Sequence, residues 1–307
     1  MTSNAVPRVH IGPAARDELV AAVEAAGAQV AALGEADAVV WTDSDPTNFP
    51  RELPIGVRWV QLPSAGVERW VDAVDERRTW TSAVGAYAPT VAEHALALLL
   101  AGTRQLPASI RATEWQKREI GGAITPLRGA TVAIVGCGGI GRSLIGLLAP
   151  FDVEVLAVTR SGTPVPGAAR TLPAERTAEV WPAADHVVVA APATATTQHL
   201  VGAEQLAAMR PGAWLVNVAR GSLVDTDALV DALDRGAIGG AALDVTDPEP
   251  LPAGHPLWGH PRAIVTPHVA NPRPLLAAAY AERVQENVSR FREGEPLIGA
   301  IDPAAGY

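Results

Sequence analysis

The sequence has one cysteine, no apolar run long enough to cross a membrane and no block rich in Lys or Arg. The lone Cys137 excludes an intrachain disulfide and cannot by itself build a cysteine metal cluster. Its place inside a glycine-rich turn favours a packing role. The apolar run at residues 96–101 is far below the roughly 20 residues of a membrane span, and the first twenty residues lack the features of a secretory signal. We therefore expect a cytoplasmic protein.

Positive charge is also scarce. Lys and Arg number 24 against 33 Asp and Glu, which gives a formal net charge of −9. A nucleic-acid-binding surface needs clustered positive charge, so neither nucleic acid nor a membrane is an expected partner. The apolar fraction of 48% and the charged fraction of 19% are typical of a chain that folds around substantial cores. With 307 residues, the chain is long enough for two domains and a ligand cleft between them.

Short β-branched runs alternate with helical patterns in the first part of the chain, which indicates parallel strands joined by crossover helices. The predicted strands lie at residues 8–11, 38–41, 58–61 and 79–82. A helical run follows at residues 90–104, with its apolar side chains on one face. We expect this helix to connect the two domains, and we place the domain boundary within it, at 96/97.

The alternation is clearer in the second part of the chain. Strands are predicted at residues 131–135, 154–158, 186–190, 213–217, 240–244 and 263–265. Six strands with helices between them indicate a doubly wound nucleotide-binding sheet. After a Pro-rich segment at 271–274, a final helix has Tyr280, Val284, Val288 and Phe291 on one apolar face. We expect this helix to pack on the N-terminal domain, so that one domain comprises residues 1–96 with 273–307 and the other residues 97–272.

A glycine-rich turn, VGCGGIG at residues 135–141, joins the first strand of the second part to its helix. Such turns are common, but a buried strand before it and a helix after it make this one typical of a dinucleotide site. Gly136 would form the tight turn, Gly138 would let the backbone approach a pyrophosphate, and Gly141 would allow close helix packing. The predicted cofactor-binding residues here are Gly136, Gly138, Gly139, Ile140 and Gly141. A turn without a ligand is the alternative.

The next predicted strand is followed by a segment without an acidic residue. An NAD-specific site usually has Asp or Glu there, which accepts a hydrogen bond from the ribose 2′-hydroxyl. Arg160 and Ser161 instead offer donors, and a guanidinium matches a 2′-phosphate in charge and geometry. We therefore predict that NADP is preferred over NAD, with Thr159, Arg160 and Ser161 at the cofactor. The alternative is that Arg160 is a solvated loop residue.

Three polar segments follow predicted strands of the second sheet. They are NVARG at 217–221, DVTDPEP at 244–250 and TPHVA at 266–270. Because ligands of open α/β sheets bind at the carboxyl ends of the strands, these segments are expected to converge on one crevice. Taken singly, Arg220, Glu249 and His268 could each be an ordinary surface residue. Together at one sheet edge, they favour a catalytic site.

With these motifs, the sequence closely resembles the D-isomer-specific 2-hydroxyacid dehydrogenase family, which includes glyoxylate/hydroxypyruvate reductases, phosphoglycerate dehydrogenases and D-lactate dehydrogenases. The resemblance covers nearly the whole chain. Its ordered motifs are VAEHALALLL from Val91, VGCGGIG, NVARGSLVD, ALDV followed by PEPLP, HPLW at 255–258 and TPHVA. It implies that Arg220, Glu249 and His268 are catalytic and that Asp244 lies near the nicotinamide carboxamide. The further cofactor-lining residues that it implies are Pro192, Val218, Ala219, Arg220 and His268.

The resemblance implies hydride transfer between NAD(P)H and the C2 carbonyl of a small 2-keto acid, and the residue types suit that reaction. Arg220 would bind the acid and polarise its carbonyl while negative charge develops on the oxygen. His268 would donate a proton to this oxygen in reduction and accept it in oxidation. Glu249, bonded to the other ring nitrogen, would orient the imidazole and favour its protonated form. Glyoxylate and hydroxypyruvate are the favoured substrates.

A loop of the N-terminal domain is a further candidate for substrate binding. It follows a predicted strand, precedes a predicted helix and comprises Ser64, Ala65, Gly66 and Val67. Backbone amides in such a loop can face an anion, and the family uses the loop for the substrate carboxylate. A plain strand-to-helix turn is the alternative. Arg220 and His268 complete the predicted substrate-binding set, and no metal site is predicted.

The fold implied by the resemblance is α/β, with two doubly wound parallel-sheet domains: a Rossmann dinucleotide-binding domain and a smaller flavodoxin-like substrate domain. A homodimer is also implied. The chain departs from the usual family pattern at Thr246-Asp247, at 271–273 and in the missing acid after the second strand, which affects substrate and cofactor choice. A formate-dehydrogenase-like enzyme is disfavoured because Glu249 stands where those proteins have glutamine, and the chain length disfavours a regulatory domain. A non-catalytic, dinucleotide-sensing binding protein of the same fold stays as the alternative.

Overall fold

Two parallel β-sheets, one in each of two units of the chain, organise the structure. The computed structural model describes residues 6–302. One unit contains the chain up to Tyr87 together with the chain from Pro272 onward, and the other is Ala88–Asn271. The division therefore falls between residues 87 and 88 and between residues 271 and 272. The boundaries predicted from the sequence were 96/97 and 272/273. The difference arises because the helix that starts at Ala88 lies as a whole in the second unit.

The first unit has a five-stranded parallel sheet in the order β2-β1-β3-β4-β5, which is the flavodoxin-like order. Its strands are β1 (Arg8–Gly12), β2 (Gln29–Val30), β3 (Ala38–Trp41), β4 (Trp59–Gln61) and β5 (Thr79–Thr81). Its helices are α1 (Asp17–Ala25) and α10 (Arg273–Glu293). Strand β3 is buried along its whole length, as expected for a parallel strand covered on both faces. Strand β2 was not predicted, because two exposed residues at a sheet edge leave no periodic pattern.

The last helix, α10, packs beside α1 in the first unit, which confirms that it returns to the N-terminal domain. Tyr280, Val284 and Val288 are buried, and Phe291 is only partly buried. The Tyr280 hydroxyl reaches the backbone carbonyls of Trp41 (2.7 Å) and Gln61 (3.2 Å) at the ends of β3 and β4. Hydrogen bonds as well as apolar contacts therefore hold the helix on the sheet.

The second unit has a seven-stranded parallel sheet in the order β12-β11-β10-β9-β6-β7-β8. Its strands are β6 (Thr131–Val135), β7 (Glu154–Thr159), β8 (Arg170–Pro173), β9 (His186–Val189), β10 (Trp214–Asn217), β11 (Gly240–Leu243) and β12 (Ala263–Val265). The strand order reverses at β6 and β9, as in the Rossmann fold, with one additional strand at the far edge. The predicted count of six was wrong: β8, an edge strand that ends in proline, follows a Pro- and Gly-rich segment that hid it.

Helices cover both faces of the second sheet. They are α2 (Ala88–Thr103), α3 (Leu106–Arg111), α4 (Lys117–Gly122), α5 (Gly139–Leu148), α6 (Val180–Ala183), α7 (Ala203–Ala208), α8 (Thr226–Asp234) and α9 (Pro256–Gly259). Helix α2 packs against α5 and lies across β10 and β11. This position brings one face of α2 close to the carboxyl end of β11. Within residues 6–302, the helices are all too short or too polar to span a bilayer.

Candidate active site

The glycine turn between β6 and α5 has the geometry that its three glycines predict. Gly136 has a φ of +88°, and a Cβ on it would lie 2.2 Å from the Cα of Ala191. A side chain at this position would therefore strain the backbone and overlap the segment after β9. A Cβ on Gly141 would lie 2.7 Å from Cys137 Sγ and 3.0 Å from Ile134 Cγ2, so Gly141 allows α5 to pack on β6.

Gly138 differs from the other two glycines because, among the described residues and apart from those adjoining it in the chain, no heavy atom lies within 4 Å of the position that a Cβ would take. It is the exposed N-cap of α5, and Gly139 and Ile140 form the first turn of that helix. A helix N-terminus presents backbone N–H groups and a partial positive charge to an anion. The turn therefore fits a pyrophosphate, with Gly138 leaving open the space that a phosphate group needs.

Cys137, in the same turn, is buried. Burial raises the pKa of its thiol to about 11, so the thiol is protonated at neutral pH. A protonated, buried thiol is a poor nucleophile, which agrees with a packing role.

The segment after β7 is a polar turn without a carboxylate. Thr159 Oγ1 accepts a hydrogen bond from the amide of Gly162 (3.0 Å), and Ser161 Oγ lies 2.7 Å from Thr163 Oγ1. Arg160 is exposed. Because β7 is the neighbour of β6, this turn lies beside the glycine turn at the carboxyl edge of the sheet. Thr163, which sequence reasoning did not name, adds another hydroxyl here.

The three polar segments begin at the same level of the sheet. Strands β10, β11 and β12 are neighbours, and Asn217, Leu243 and Val265 are aligned partners at their carboxyl ends. The prediction that the segments share one sheet edge is confirmed. Pro192 follows β9 at this edge, and its carbonyl accepts a hydrogen bond from Thr197 Oγ1 (2.8 Å).

His268 and Glu249 are in direct contact. His268 Nδ1 lies 2.7 Å from Glu249 Oε1, and the two side chains are 53% and 43% exposed. Because a carboxylate can only accept, Nδ1 carries the hydrogen of this bond and Nε2 is left to exchange a proton with a ligand. This contact is the geometry of an oriented acid–base histidine.

Arg220 follows β10 in a turn fixed by Asn217. Asn217 is fully buried. Its side-chain Nδ2 donates to the Arg220 carbonyl (2.8 Å), and its Oδ1 accepts from the Ala219 N–H (3.0 Å). Arg220 Nη1 donates to the Ala219 carbonyl (2.7 Å), and Val218 and Ala219 are buried beside it. The turn also packs on the segment after β11, since a Cβ on Gly221 would lie 1.9 Å from the Thr246 carbonyl oxygen.

Asp244, at the end of β11, is almost completely buried. Its carboxylate accepts hydrogen bonds from Thr266 Oγ1 (2.5 Å) and from the amides of Val269 (3.0 Å) and Ala270 (3.1 Å). His94 Nε2 lies 3.3 Å from the same carboxylate. Burial alone would raise the pKa of Asp244, but the hydrogen bonds from His94, Thr266 and the two amides outweigh it and lower the pKa to about 2. Asp244 is therefore ionised and fixes the segment that contains His268.

Sequence reasoning missed His94, although it quoted the helix motif that contains it. The available signal was a histidine beside a glutamate in the mainly apolar helix α2. Its partners Asp244 and Thr266 are more than 140 residues away in the chain, so no local pattern could identify them.

The predicted anion loop of the first unit follows β4. The Pro63 carbonyl accepts from the Tyr87 hydroxyl (2.6 Å), and the Ser64 carbonyl accepts from the Ala83 amide (2.9 Å). Within residues 6–302, Ser64 Oγ is buried without a hydrogen-bond partner. The amides of Ala65, Gly66 and Val67 likewise donate to no other residue in this described range. These groups leave donors available for an anion.

The helix expected after this loop is absent from the described residues, so that prediction was wrong. The chain instead makes successive turns around Trp70, which is fully buried in the core of the first unit. An anion here would be bound by loop amides without the help of a helix N-terminus.

Comparison with known proteins agrees with this geometry. The model of the D-isomer specific 2-hydroxyacid dehydrogenase NAD binding domain matches residues 95–270. An uncharacterized protein in the proB 3′ region of Corynebacterium melassecola is 42% identical over 296 residues, which are 95% of this chain and 97% of that protein. The glyoxylate reductase of Pyrococcus furiosus is 37% identical over 216 residues, which are 66% of this chain and 63% of the reductase.

A solved structure gives the same result over the full length. The NADPH-dependent glyoxylate/hydroxypyruvate reductase from Sinorhizobium meliloti, in complex with NADP and sulfate, superimposes with a TM-score of 0.81 at 25% identity, covering 98% of this chain and 100% of that one. The family model spans more than half of the chain, and its match includes the glycine turn, Arg220, Glu249 and His268. The chain belongs to the family of NAD(P)-dependent D-isomer specific 2-hydroxyacid dehydrogenases.

Proposed function

We propose that this dehydrogenase reduces a small 2-keto acid, with glyoxylate and hydroxypyruvate as the favoured substrates. The observation that carries the proposal is the 2.7 Å contact between His268 Nδ1 and Glu249 Oε1 at the edge of the sheet that also holds the glycine turn. Two relatives with named activities support the substrate class, since one is a glyoxylate reductase and the other a glyoxylate/hydroxypyruvate reductase.

The residues divide the chemistry between them. When bound, the reduced dinucleotide supplies the hydride that forms the new C–H bond at C2. His268 gives the proton on Nε2 to the carbonyl oxygen, which takes the electron pair of the C=O π bond and becomes the hydroxyl. Glu249 accepts the hydrogen bond from Nδ1 and so holds the ring with Nε2 directed away from it. Arg220 binds the acid through its guanidinium and stabilises negative charge on the oxygen.

Other groups are proposed to hold the ligands. The glycine turn at Gly136–Gly141 would bind the pyrophosphate, and Pro192, Val218 and Ala219 would line the rest of the dinucleotide site. Asp244 is proposed to lie near the carboxamide. In the first unit, the amides of Ala65, Gly66 and Val67 with the Ser64 hydroxyl would bind a carboxylate.

Substitution of His268 by alanine tests the proton-donor role. We expect kcat with glyoxylate and NADPH to fall by about 10²- to 10⁴-fold, the usual contribution of a general acid, while the Kd for NADPH changes little. His199→Ala is a matched control, because His199 is also half exposed, lies 3.9 Å from the carboxylate of Asp225 and has a positive φ. A His268→Ala enzyme that kept more than about a tenth of kcat would overturn the proposal.

We further propose that NADPH is preferred over NADH. The polar turn after β7 has no carboxylate to repel a 2′-phosphate and offers Arg160, Ser161 and Thr159 as donors. A charge-assisted hydrogen bond to a phosphate contributes about 1.5 to 3 kcal/mol, which is roughly ten- to a hundred-fold in kcat/KM. The NADPH-dependent reductase with the same fold supports this preference.

Two substitutions test the cofactor preference. Arg160→Ala should lower kcat/KM for NADPH with little change for NADH. Thr159→Asp should reverse the preference, since aspartate can still accept from the Gly162 amide, as Thr159 does, while it places a carboxylate beside the ribose. Equal or better use of NADH by the unmodified enzyme would refute the proposal.

We also propose a homodimer. Three large apolar side chains follow α2 within ten residues of the chain and are exposed, with Leu106 45%, Ile110 81% and Trp115 90% exposed, and exposed apolar side chains concentrated in one segment are typical of a protein interface. Ile110→Ser with Trp115→Ser should shift the sedimentation coefficient from dimer to monomer. Ile55→Ser is the control, because Ile55 is fully exposed in the first unit. A monomeric wild-type protein at micromolar concentration would contradict the proposal. A cytoplasmic location stays a prediction from the sequence.

A further inference from the structure

His94 of α2 makes polar contacts with two residues at the sheet edge. Its Nε2 lies 3.1 Å from Thr266 Oγ1 and 3.3 Å from an oxygen of Asp244. The Thr266 hydroxyl donates its only hydrogen to the same carboxylate oxygen. Thr266 Oγ1 and Asp244 can therefore only accept from His94. These contacts assign the hydrogen to Nε2 and make His94 a donor in both its neutral and its protonated form.

The group that receives these donors supports the backbone of His268. His268 has a φ of +52°, a left-handed conformation that costs energy for a residue with a side chain. Its amide donates to the Asp244 carbonyl (2.8 Å), and the next two amides, of Val269 and Ala270, donate to the Asp244 carboxylate. Asp244 thus holds three consecutive amides of the segment and keeps His268 in this conformation.

We propose that His94 is a positioning residue of the reaction. By donating to Asp244 and Thr266, it fixes the carboxylate that holds the His268 backbone, and so fixes where His268 presents its proton. His94 itself is 22% exposed and needs no contact with either ligand. This inference rests on the proposed role of His268. Displacement of a catalytic group by about 1 Å can cost a hundred-fold in rate, so kcat should be sensitive to His94.

Two substitutions separate the donor from the side-chain volume. His94→Leu fills the space without a donor, and we expect kcat for glyoxylate reduction to fall about ten- to a hundred-fold while the Kd for NADPH stays within about two-fold. His94→Gln places an amide N–H at the reach of Nε2 and should restore kcat to within about three-fold of wild type. His94→Asn is one methylene shorter and should not restore kcat. If the leucine variant does not fold, the comparison of His94→Gln with His94→Asn still tests whether a donor at the position of Nε2 sustains kcat.

A second readout does not depend on turnover. Hydrogen exchange of the Val269 and Ala270 amides in the ligand-free protein should become faster in His94→Leu and His94→Asn, and should return to the wild-type rate in His94→Gln. A His94→Leu enzyme with unchanged kcat and unchanged exchange would overturn the inference, as would an inactive His94→Gln enzyme that is folded. Failure of the proposed function looks different, since His268→Ala would then retain its turnover whatever the His94 variants do.

Discussion

Substitution of single glycines by alanine in and near the β6–α5 turn provides a sharp test of the dinucleotide site, because the structure predicts a different effect at each. At Gly138, an added methyl group would meet no side chain or distant backbone atom of residues 6–302 within 4 Å. At Gly136 it would meet the backbone of Ala191, and at Gly141 the side chains of Cys137 and Ile134. Gly138→Ala should therefore affect the ligand, whereas the other two substitutions should affect the fold.

The magnitudes follow from these surroundings. Gly136→Ala would hold an alanine in a left-handed conformation, which costs about 1 to 2 kcal/mol. Its methyl group would also overlap the backbone of Ala191, so we expect severe destabilisation. Gly141→Ala overpacks the helix against β6, at about 1 to 3 kcal/mol. Gly138→Ala replaces an exposed N-cap and should cost under about 1 kcal/mol of stability. Its methyl group would keep a phosphate from the N-terminal amides of α5, and losing one charged hydrogen bond weakens binding about 10- to 150-fold.

The assay is calorimetric titration of each variant with NADPH, alongside its thermal unfolding. Gly146→Ala is the control, because Gly146 is also in α5 with open space around it. It should stabilise the helix by about 0.5 to 1 kcal/mol without changing the Kd. A Gly138→Ala protein that binds NADPH as tightly as wild type would refute the assignment of this turn to the pyrophosphate.

Three further outcomes concern buried polar groups. Burial lowers the pKa of His186 from 6.5 to about 4. The contribution of the neutral His186 to the free energy of unfolding is therefore fully present above pH 6.5, and about 3 kcal/mol of it is lost as the pH drops to about 4. His186→Asn can still accept the backbone N–H of Trp214, as His186 Nδ1 does, and should flatten this dependence of Tm on pH. Tyr280→Phe leaves two buried carbonyls without their donor and should lower the free energy of unfolding by about 1 to 3 kcal/mol, measured by urea denaturation; a change below about 0.5 kcal/mol would contradict this. Tyr87→Phe frees the Pro63 carbonyl and should raise KM for the keto acid several-fold with little change in kcat, as steady-state kinetics would show; an unchanged KM would refute the role of this loop.

Much of the second sheet and its site was predictable because the signal is local. Short buried apolar runs identify β6 and β9 to β12, and a polar residue just after a parallel strand is placed at the sheet edge by the fold alone. The contact between Glu249 and His268 was expected from the resemblance, and the structure adds that their segments follow the neighbouring strands β11 and β12. The resemblance to a family added the roles of these residues.

The parts that the sequence did not predict depend on contacts between distant residues. Strands β2 and β8 are short edge strands whose pairing with β1 and β7 defines them, so no periodic pattern marks them. The turns after Val67 depend on Trp70 entering the core of the first unit. His94 acquires its meaning from Asp244 and Thr266, which only the folded chain brings beside α2.

The return of α10 to the first unit has a consequence for the order of folding. Synthesis proceeds from the N-terminus, so residues 88–271, which form the second unit, are all made before the helix at 273–293 exists. Until then, the carbonyls of Trp41 and Gln61 lack the Tyr280 hydroxyl that they accept in the finished protein, and the first sheet lacks a helix that covers it. The unit that begins the chain is thus completed only after the unit inserted into it has been synthesised, so the chain of the second unit is available for folding before the first unit can be closed.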